Sequence, residues 1–202
     1  MPAKIQSRAG PAPTTARSRS SPPLVGGLFA TLLSPPYGFR ATLRITTAML
    51  TPYRTAILPE WVDYNGHLRD AFYLLIFSYA TDALMDRLGL DEAGRARTGH
   101  TLYTLECHLN YLAEVKLGAE VEVRTRLLAH DHKRLHIHHG LYLPGSDASL
   151  AESEQMLMNI ASGTGRSAPF AEDVARRVAA LAAAQLGLPR PACVGRVIGL
   201  PG

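Results

Sequence analysis

The chain has 202 residues, of which 47% are apolar and 19% charged, and a formal net charge of +4. That is enough chain and apolar content for one folded domain with a real core, and it excludes a wholly disordered protein. The charge does not point to nucleic acid, because it sits at one end: residues 1–59 hold seven Lys/Arg and no acid, whereas residues 60–202 hold fourteen Lys/Arg against seventeen Asp/Glu.

In chain order, residues 1–48 are rich in Pro, Ser, Ala, Thr and Arg, a composition that builds no packed core. Three readings stay open for them: a transit-like segment, a disordered extension, or a start codon placed upstream of a true beginning at Met49. The last is preferred, because strand patterning begins just after Met49. The apolar stretch Pro23–Leu33 is too short to span a bilayer and is interrupted by two glycines, so no membrane partner is expected. Residues 49–202 read as one domain.

Tyr53–Leu58 has the pattern of a short strand, and Pro59–Arg69 that of a loop. Asp70 to about Leu88 reads as a helix stopped by Gly89. Its first ten residues after Asp70 are apolar on all sides, which predicts burial on all sides. Four strand candidates follow. Thr101–Leu112 alternates, with Tyr103, Leu105, Cys107, Leu109 and Tyr111 on one face and Thr104, Glu106, His108 and Asn110 on the other. Glu120–Leu127 alternates charge with Val, Thr and Leu. Arg134–Leu143 puts Leu135, Ile137, His139, Leu141 and Leu143 on one face. Ser149–Ala161 alternates less cleanly, and Pro144-Gly145-Ser146-Asp147 joins the last two as a hairpin. Ala171–Leu186 is a surface helix with an apolar stripe of Val174, Val178 and Leu181. The order gives an α+β fold, an antiparallel sheet of about five strands wrapped around a long central helix, plus a C-terminal helix. Such a sheet leaves an edge open, so a homodimer or higher homo-oligomer is expected.

The chemistry-bearing stretch is Asp63-Tyr64-Asn65-Gly66-His67, directly before the long helix. Taken alone it reads as a turn leading into a capped core helix. The order of elements with this stretch in place resembles hotdog-fold acyl-CoA thioesterases of the 4-hydroxybenzoyl-CoA thioesterase type, over about residues 52–162. That family's loop usually runs Asp, two variable residues, Gly, often His, a small or apolar residue, then Asn. Asp63, Gly66 and His67 match, and Arg69 stands where Asn is common. The segments "PEWVDYNGHLRDAFY", "LECHLNYLAEVKLG", "LLAHDHKRLHIHH" and "LPRPACVGRVIGLP" are similar to the betainyl-CoA thioesterases of carnitine breakdown, which are sometimes fused to, or encoded beside, carnitine dehydrogenase.

The resemblance implies an acyl-CoA thioesterase, most directly one hydrolysing betainyl-CoA to betaine and CoA. Hydrolysis of another short or aromatic acyl-CoA, or a silent acyl-CoA-binding or assembly module, are the alternatives. Asp63 would be the base or nucleophile. Backbone N–H groups near Arg69 and Asp70, at the positive end of the helix, would take the carbonyl oxygen. Asn65 and Gly66 shape the loop, and His67 orients substrate or helps Asp63. A quaternary ammonium cannot donate a normal hydrogen bond, so aromatic faces suit it. Trp61 is preferred for that role, with Tyr64 beside it, and Tyr73 and Phe77 are assigned to the core. Glu106 and His108 complete the site or line a subunit interface. Lys133 and Arg134, with Arg166, are candidates for the phosphates of coenzyme A.

His130, His132, His136 and His138 in "HDHKRLHIHH" suggest a metal, but no Cys or carboxylate at zinc spacing accompanies them, so none is expected. No cofactor is expected beyond the coenzyme A of the substrate. Two distant cysteines, Cys107 and Cys193, are expected to be reduced thiols in a cytoplasmic protein. The resemblance to betainyl-CoA thioesterases implies carnitine dehydrogenase as a partner.

Overall fold

A computed structural model describes residues 50–200, so the expectations for residues 1–48 lie outside the described residues. The elements are β1 (Tyr53–Ala56), a 3-10 turn (Pro59–Trp61), α1 (Asp70–Leu88), α2 (Glu92–Thr98), β2 (His100–Tyr111), β3 (Glu120–His130), β4 (Arg134–Tyr142), β5 (Ser149–Ala161), β6 (Arg166–Ser167) and α3 (Glu172–Gln185). The strands form one antiparallel sheet in the order β1-β3-β4-β5-β2, with the two-residue β6 added to the end of β5. Sheet, long helix and C-terminal helix match the hotdog architecture expected from the sequence. Helix α2 and strand β6 were not foreseen, being too short to carry a periodic pattern.

Helix α1 stops where Gly89 adopts φ 77°, a left-handed conformation that glycine tolerates without a Cβ penalty. The next amide, Leu90 N–H, donates to Met85 O at 2.8 Å, closing the last turn. Two apolar clusters run along the helix. Its first half, with Tyr73, Ile76, Phe77 and Ala80, packs on Ile57, Trp61, Val121, Val123 and Leu141. Its second half, with Leu84, Met85 and Leu88, packs on Leu127, Leu135, Ile137, Leu157 and the α3 residues Val174 and Val178. Each Val, Leu, Ile, Phe or Met among them contributes about 1.5–3 kcal/mol when fully buried.

Two sequence expectations change. The long helix is not covered on all sides within one chain: Leu74, Ser78, Tyr79 and Asp82 are exposed, because the sheet curls around one face only. Asp82 therefore stays in solvent and pays no burial cost. On β2 the single alternation fails. Thr104 pairs with Leu157 and Glu106 with Met156, leaving Leu105 as a bulge. Directly paired residues share a face, so Cys107, Leu109 and Tyr111 look toward the helix together with Leu102 and Thr104, while Glu106, His108 and Asn110 look outward. Leu105 and Tyr103 do not join the Cys107 face and are exposed.

Strand β5 alternates less cleanly because its helix-side residues are Ala151, Ser153, Gln155, Leu157 and Asn159, all buried. Their donors are bonded inside: Gln155 Nε2 donates to Ser153 Oγ at 3.0 Å, and Asn159 Nδ2 donates to Ala168 O at 2.8 Å, while Asn159 Oδ1 has no partner among the described residues.

Candidate active site at the start of the long helix

The Asp63–His67 stretch is a tight loop stapled by its own backbone. Asp63 N–H donates to His67 O at 2.9 Å and Gly66 N–H to Asp63 O at 3.0 Å. Gly66 supplies the φ of 77° that the turn requires. Val62 bridges to Leu68 and His67 to Lys116, so the loop is zipped to the segment after β2. Leu68 N–H donates to Val115 O, and Leu117 N–H to Gly66 O.

Inside this frame Asp63 Oδ1 accepts from Asn65 N–H at 2.9 Å and from His67 N–H at 3.0 Å. The His67 N–H, joined by that of Asn65, holds the carboxyl below the usual aspartate range, against an opposing desolvation. Asp63 is therefore an anion at neutral pH. Its Oδ2 makes no hydrogen bond among the described residues. Asp63, Tyr64, Asn65, His67, Arg69 and Asp70 line one cleft of about 550 Å³, completed by Leu68, Tyr73 and Glu114.

The structure sorts the candidate residues. Arg69 N–H is not free for a carbonyl oxygen, since it donates to Trp61 O at 3.0 Å. The Arg69 guanidinium reaches back to Val62 O at 3.0 Å. Ala71 N–H is taken by Asp70 Oδ1 at 2.8 Å. Asp70 N–H, at the first position of α1, has no partner among the described residues and is the donor left at the positive end of the helix. His67 serves Asp63 through its backbone; its imidazole Nε2 lies 3.4 Å from Glu114 and not on Asp63. Asn65 likewise contributes its amide N–H to the Asp63 carboxylate.

Trp61 does not open to a ligand. It is 7% exposed and stacks on Phe72 with centroids 6.0 Å apart, because the 3-10 turn drives the indole into the core. Of the two aromatic residues that line the cleft, Tyr64, at 95% exposure, is the exposed one, and Tyr73 is buried. Tyr73 is mostly core but its hydroxyl donates to Ala113 O, and its ring meets Tyr111 edge-on at 5.2 Å. Glu106 and His108 line a separate depression on the outer face of the sheet with His136 and Glu154. Arg134 is bound to Asp131, at 2.6 Å, in the β3–β4 turn, which leaves Lys133 as the cation of that pair without an ion pair among the described residues. Glu114 was missed by sequence reasoning. It lies 47 positions beyond His67 and only the loop-to-segment zipper brings it in, so no local signal marked it.

Residues 57–178 match the model of the thioesterase-like superfamily. A betainyl-CoA thioesterase from Pseudomonas aeruginosa is 67% identical over 153 residues, covering 76% of this chain and 96% of that protein. An L-carnitine dehydrogenase/betainyl-CoA thioesterase from Agrobacterium fabrum is 48% identical over 100 residues, half of this chain but only 20% of that longer protein. Among solved structures, a Staphylococcus aureus protein in complex with CoA is 31% identical with a TM-score of 0.70, covering 74% of this chain and 94% of that one.

Proposed function

We propose a substrate and a mechanism from one premise: the chain belongs to the thioesterase-like superfamily. It is an acyl-CoA thioesterase, and its substrate is betainyl-CoA, split by water into betaine and CoA. The substrate reading rests on the 67% identity with a betainyl-CoA thioesterase over nearly all of that protein's length. The observation that carries the mechanism is the ionised Asp63 carboxylate, one oxygen held by two amides and the other free, in the same cleft as the unspent Asp70 N–H.

In this mechanism the thioester carbonyl oxygen accepts from Asp70 N–H, where the helix dipole stabilises the developing negative charge. Asp63 Oδ2 either takes a proton from the attacking water or attacks the carbonyl itself. Collapse of the tetrahedral intermediate expels the coenzyme A thiolate, which takes up a proton. Turnover of the parent enzyme in ¹⁸O-labelled water divides the two routes, since label in Asp63 itself marks an anhydride intermediate.

With Trp61 buried, the ring for a quaternary ammonium is Tyr64. A cation–π contact is worth about 0.5–2 kcal/mol. Tyr64→Leu should therefore raise KM for betainyl-CoA by up to about thirty-fold and leave a neutral acyl-CoA of similar size little changed. Thiol release measured over a panel of acyl-CoAs tests the whole reading. Preference for a neutral or aromatic acyl group would replace betainyl-CoA, and no release from any of them would make this a silent binding module.

The functional unit we infer is a homodimer joined along β2, in a cytoplasmic compartment. Strand β2 is a 12-residue edge that exposes Tyr103 and Leu105, which favours pairing with a second copy. Light scattering on the full chain, with Leu105→Lys expected to dissociate it, is the check. Two free thiols, Cys107 and Cys193, support a reducing compartment, and no helix among the described residues is long and apolar enough to cross a membrane. Fusion of the two activities in the Agrobacterium relative supports a carnitine dehydrogenase as functional partner.

A further inference from the structure

On the outer face of the sheet, away from α1, three ligand-type side chains converge. His138 on β4, Glu152 on β5 and Cys193 in the C-terminal segment place one imidazole nitrogen, one carboxylate oxygen and one sulfur all within 4.8 Å of one another. His138 is 3% exposed, and neither ring nitrogen has a hydrogen-bond partner among the described residues. Its Nε2 stands 4.0 Å from Glu152, too far for a hydrogen bond. A buried imidazole with two unspent nitrogens beside a carboxylate and a thiol is a donor set, since ordinary burial would have given it partners.

We propose that His138, Glu152 and Cys193 bind a divalent cation of zinc type, which clamps the C-terminal segment to the outer face of the sheet. Nitrogen, carboxylate and sulfur are the three ligand classes zinc takes, with bonds of about 2.0–2.3 Å. Tetrahedral bonds of that length separate ligand atoms by about 3.3–3.8 Å, so ligand atoms already within 4.8 Å of one another need to close by only about 1 Å. Binding converts the thiol to a coordinated thiolate and releases one proton to solvent, driven by the ion's own charge. Fourth place in the shell falls to water.

The surroundings suit a clamp. The segment carrying Cys193 is already laid across the sheet: Gly195 N–H donates to Glu154 Oε2 at 2.6 Å, and Arg126 donates to Pro189 O. Glu154 in turn meets His136 Nε2 at 2.6 Å. The groups facing the trio are Glu154, Tyr142 and Arg126. Arg126 opposes a cation, and the two carboxylates Glu152 and Glu154 outweigh its single charge.

Co²⁺ and Zn²⁺ titrated into the full chain provide the test. One equivalent of Co²⁺ should give an intense thiolate-to-cobalt charge-transfer band in the near ultraviolet, displaced by Zn²⁺. Cys193→Ser should abolish the band, Cys107→Ser should keep it, and Glu152→Gln should weaken Co²⁺ binding at least about tenfold. Zn²⁺ should also slow tryptic cleavage after Arg196 in the wild type and not in Cys193→Ser. Should His138→Gln fail to fold, the cysteine variants and the proteolysis still decide. Absence of the band in wild type, its survival in Cys193→Ser, or equal cleavage with and without Zn²⁺ would overturn the assignment.

Discussion

Strand β4 carries two adjacent histidines to opposite sides of the sheet, and the two sides treat them differently. On the helix side His139 is fully buried, stacked on Phe77 with centroids 5.7 Å apart, and both ring nitrogens are satisfied. Thr81 spends its hydroxyl proton on Phe77 O at 3.1 Å, so it accepts from His139 Nε2–H at 3.0 Å, and Thr125 Oγ1 donates to Nδ1 at 2.9 Å. Burial pushes the His139 pKa down to about 3, so the ring is neutral and fixed in one tautomer. On the outer side His138 is almost as buried and has neither nitrogen satisfied among the described residues. On the helix side the imidazole is fully bonded; on the outer side it has no hydrogen-bond partner among the described residues. Burial alone thus does not tell a structural histidine from a ligand. The account of its two nitrogens does.

The largest effect expected tests the assignment of chemistry to the cleft on the helix side. Asp63→Asn keeps the turn and removes the charge, so kcat should fall by about 10²–10⁴-fold with KM and Tm little changed. Near-normal turnover would move the chemistry elsewhere. The same carboxylate sets the pH profile. Its pKa is lowered from 3.8, so activity governed by Asp63 is lost only as pH falls through that lowered value, and kcat/KM should stay flat from pH 7 to pH 5. An acid limb within that window would assign the essential group to another residue.

The next effect separates the two faces of β4 directly. His139→Leu strands the Thr125 hydroxyl in the core and should cost about 1–3 kcal/mol in urea denaturation. His138→Leu, measured with a chelator present, removes an unpaired buried imidazole and should be neutral or stabilising by up to about 1 kcal/mol. Equal losses at both positions would erase the contrast between the faces. Smallest of all, a chain starting at Met49 should match the full chain in Tm and turnover, as the composition of residues 1–48 implies. A large loss in either would bring that segment into the domain.

What was legible in the sequence follows how locally each feature is encoded. The bounds of α1, the hairpin at Pro144–Asp147 and the helix-side face of β4 from Leu135 to Leu141 rest on contiguous periodicity and on Gly89 and Gly145, and the structure reproduces them; Leu143, expected on that face, lies beyond the strand and is exposed. The turn Asp63–His67 closes on its own backbone within five residues, so its shape was readable too. Trp61 was not, because an aromatic beside a loop can turn inward or outward and only the packing against Phe72 decides which. Nor was the β2 bulge at Leu105, since one unpaired residue reverses every later side chain while leaving the sequence pattern intact.

The longer elements, their order, the family resemblance and the Asp63 loop are written in the sequence, because all of them depend on neighbours along the chain; the short α2 and β6 are not. Only the tertiary structure decided which donors near Asp63 remain free, that Arg69 N–H is spent on Trp61, and that Cys193 comes to lie against His138 across 55 positions of sequence. Those outcomes depend on which backbone groups and side chains the curled sheet brings together, and no spacing along the chain encodes a contact made through space.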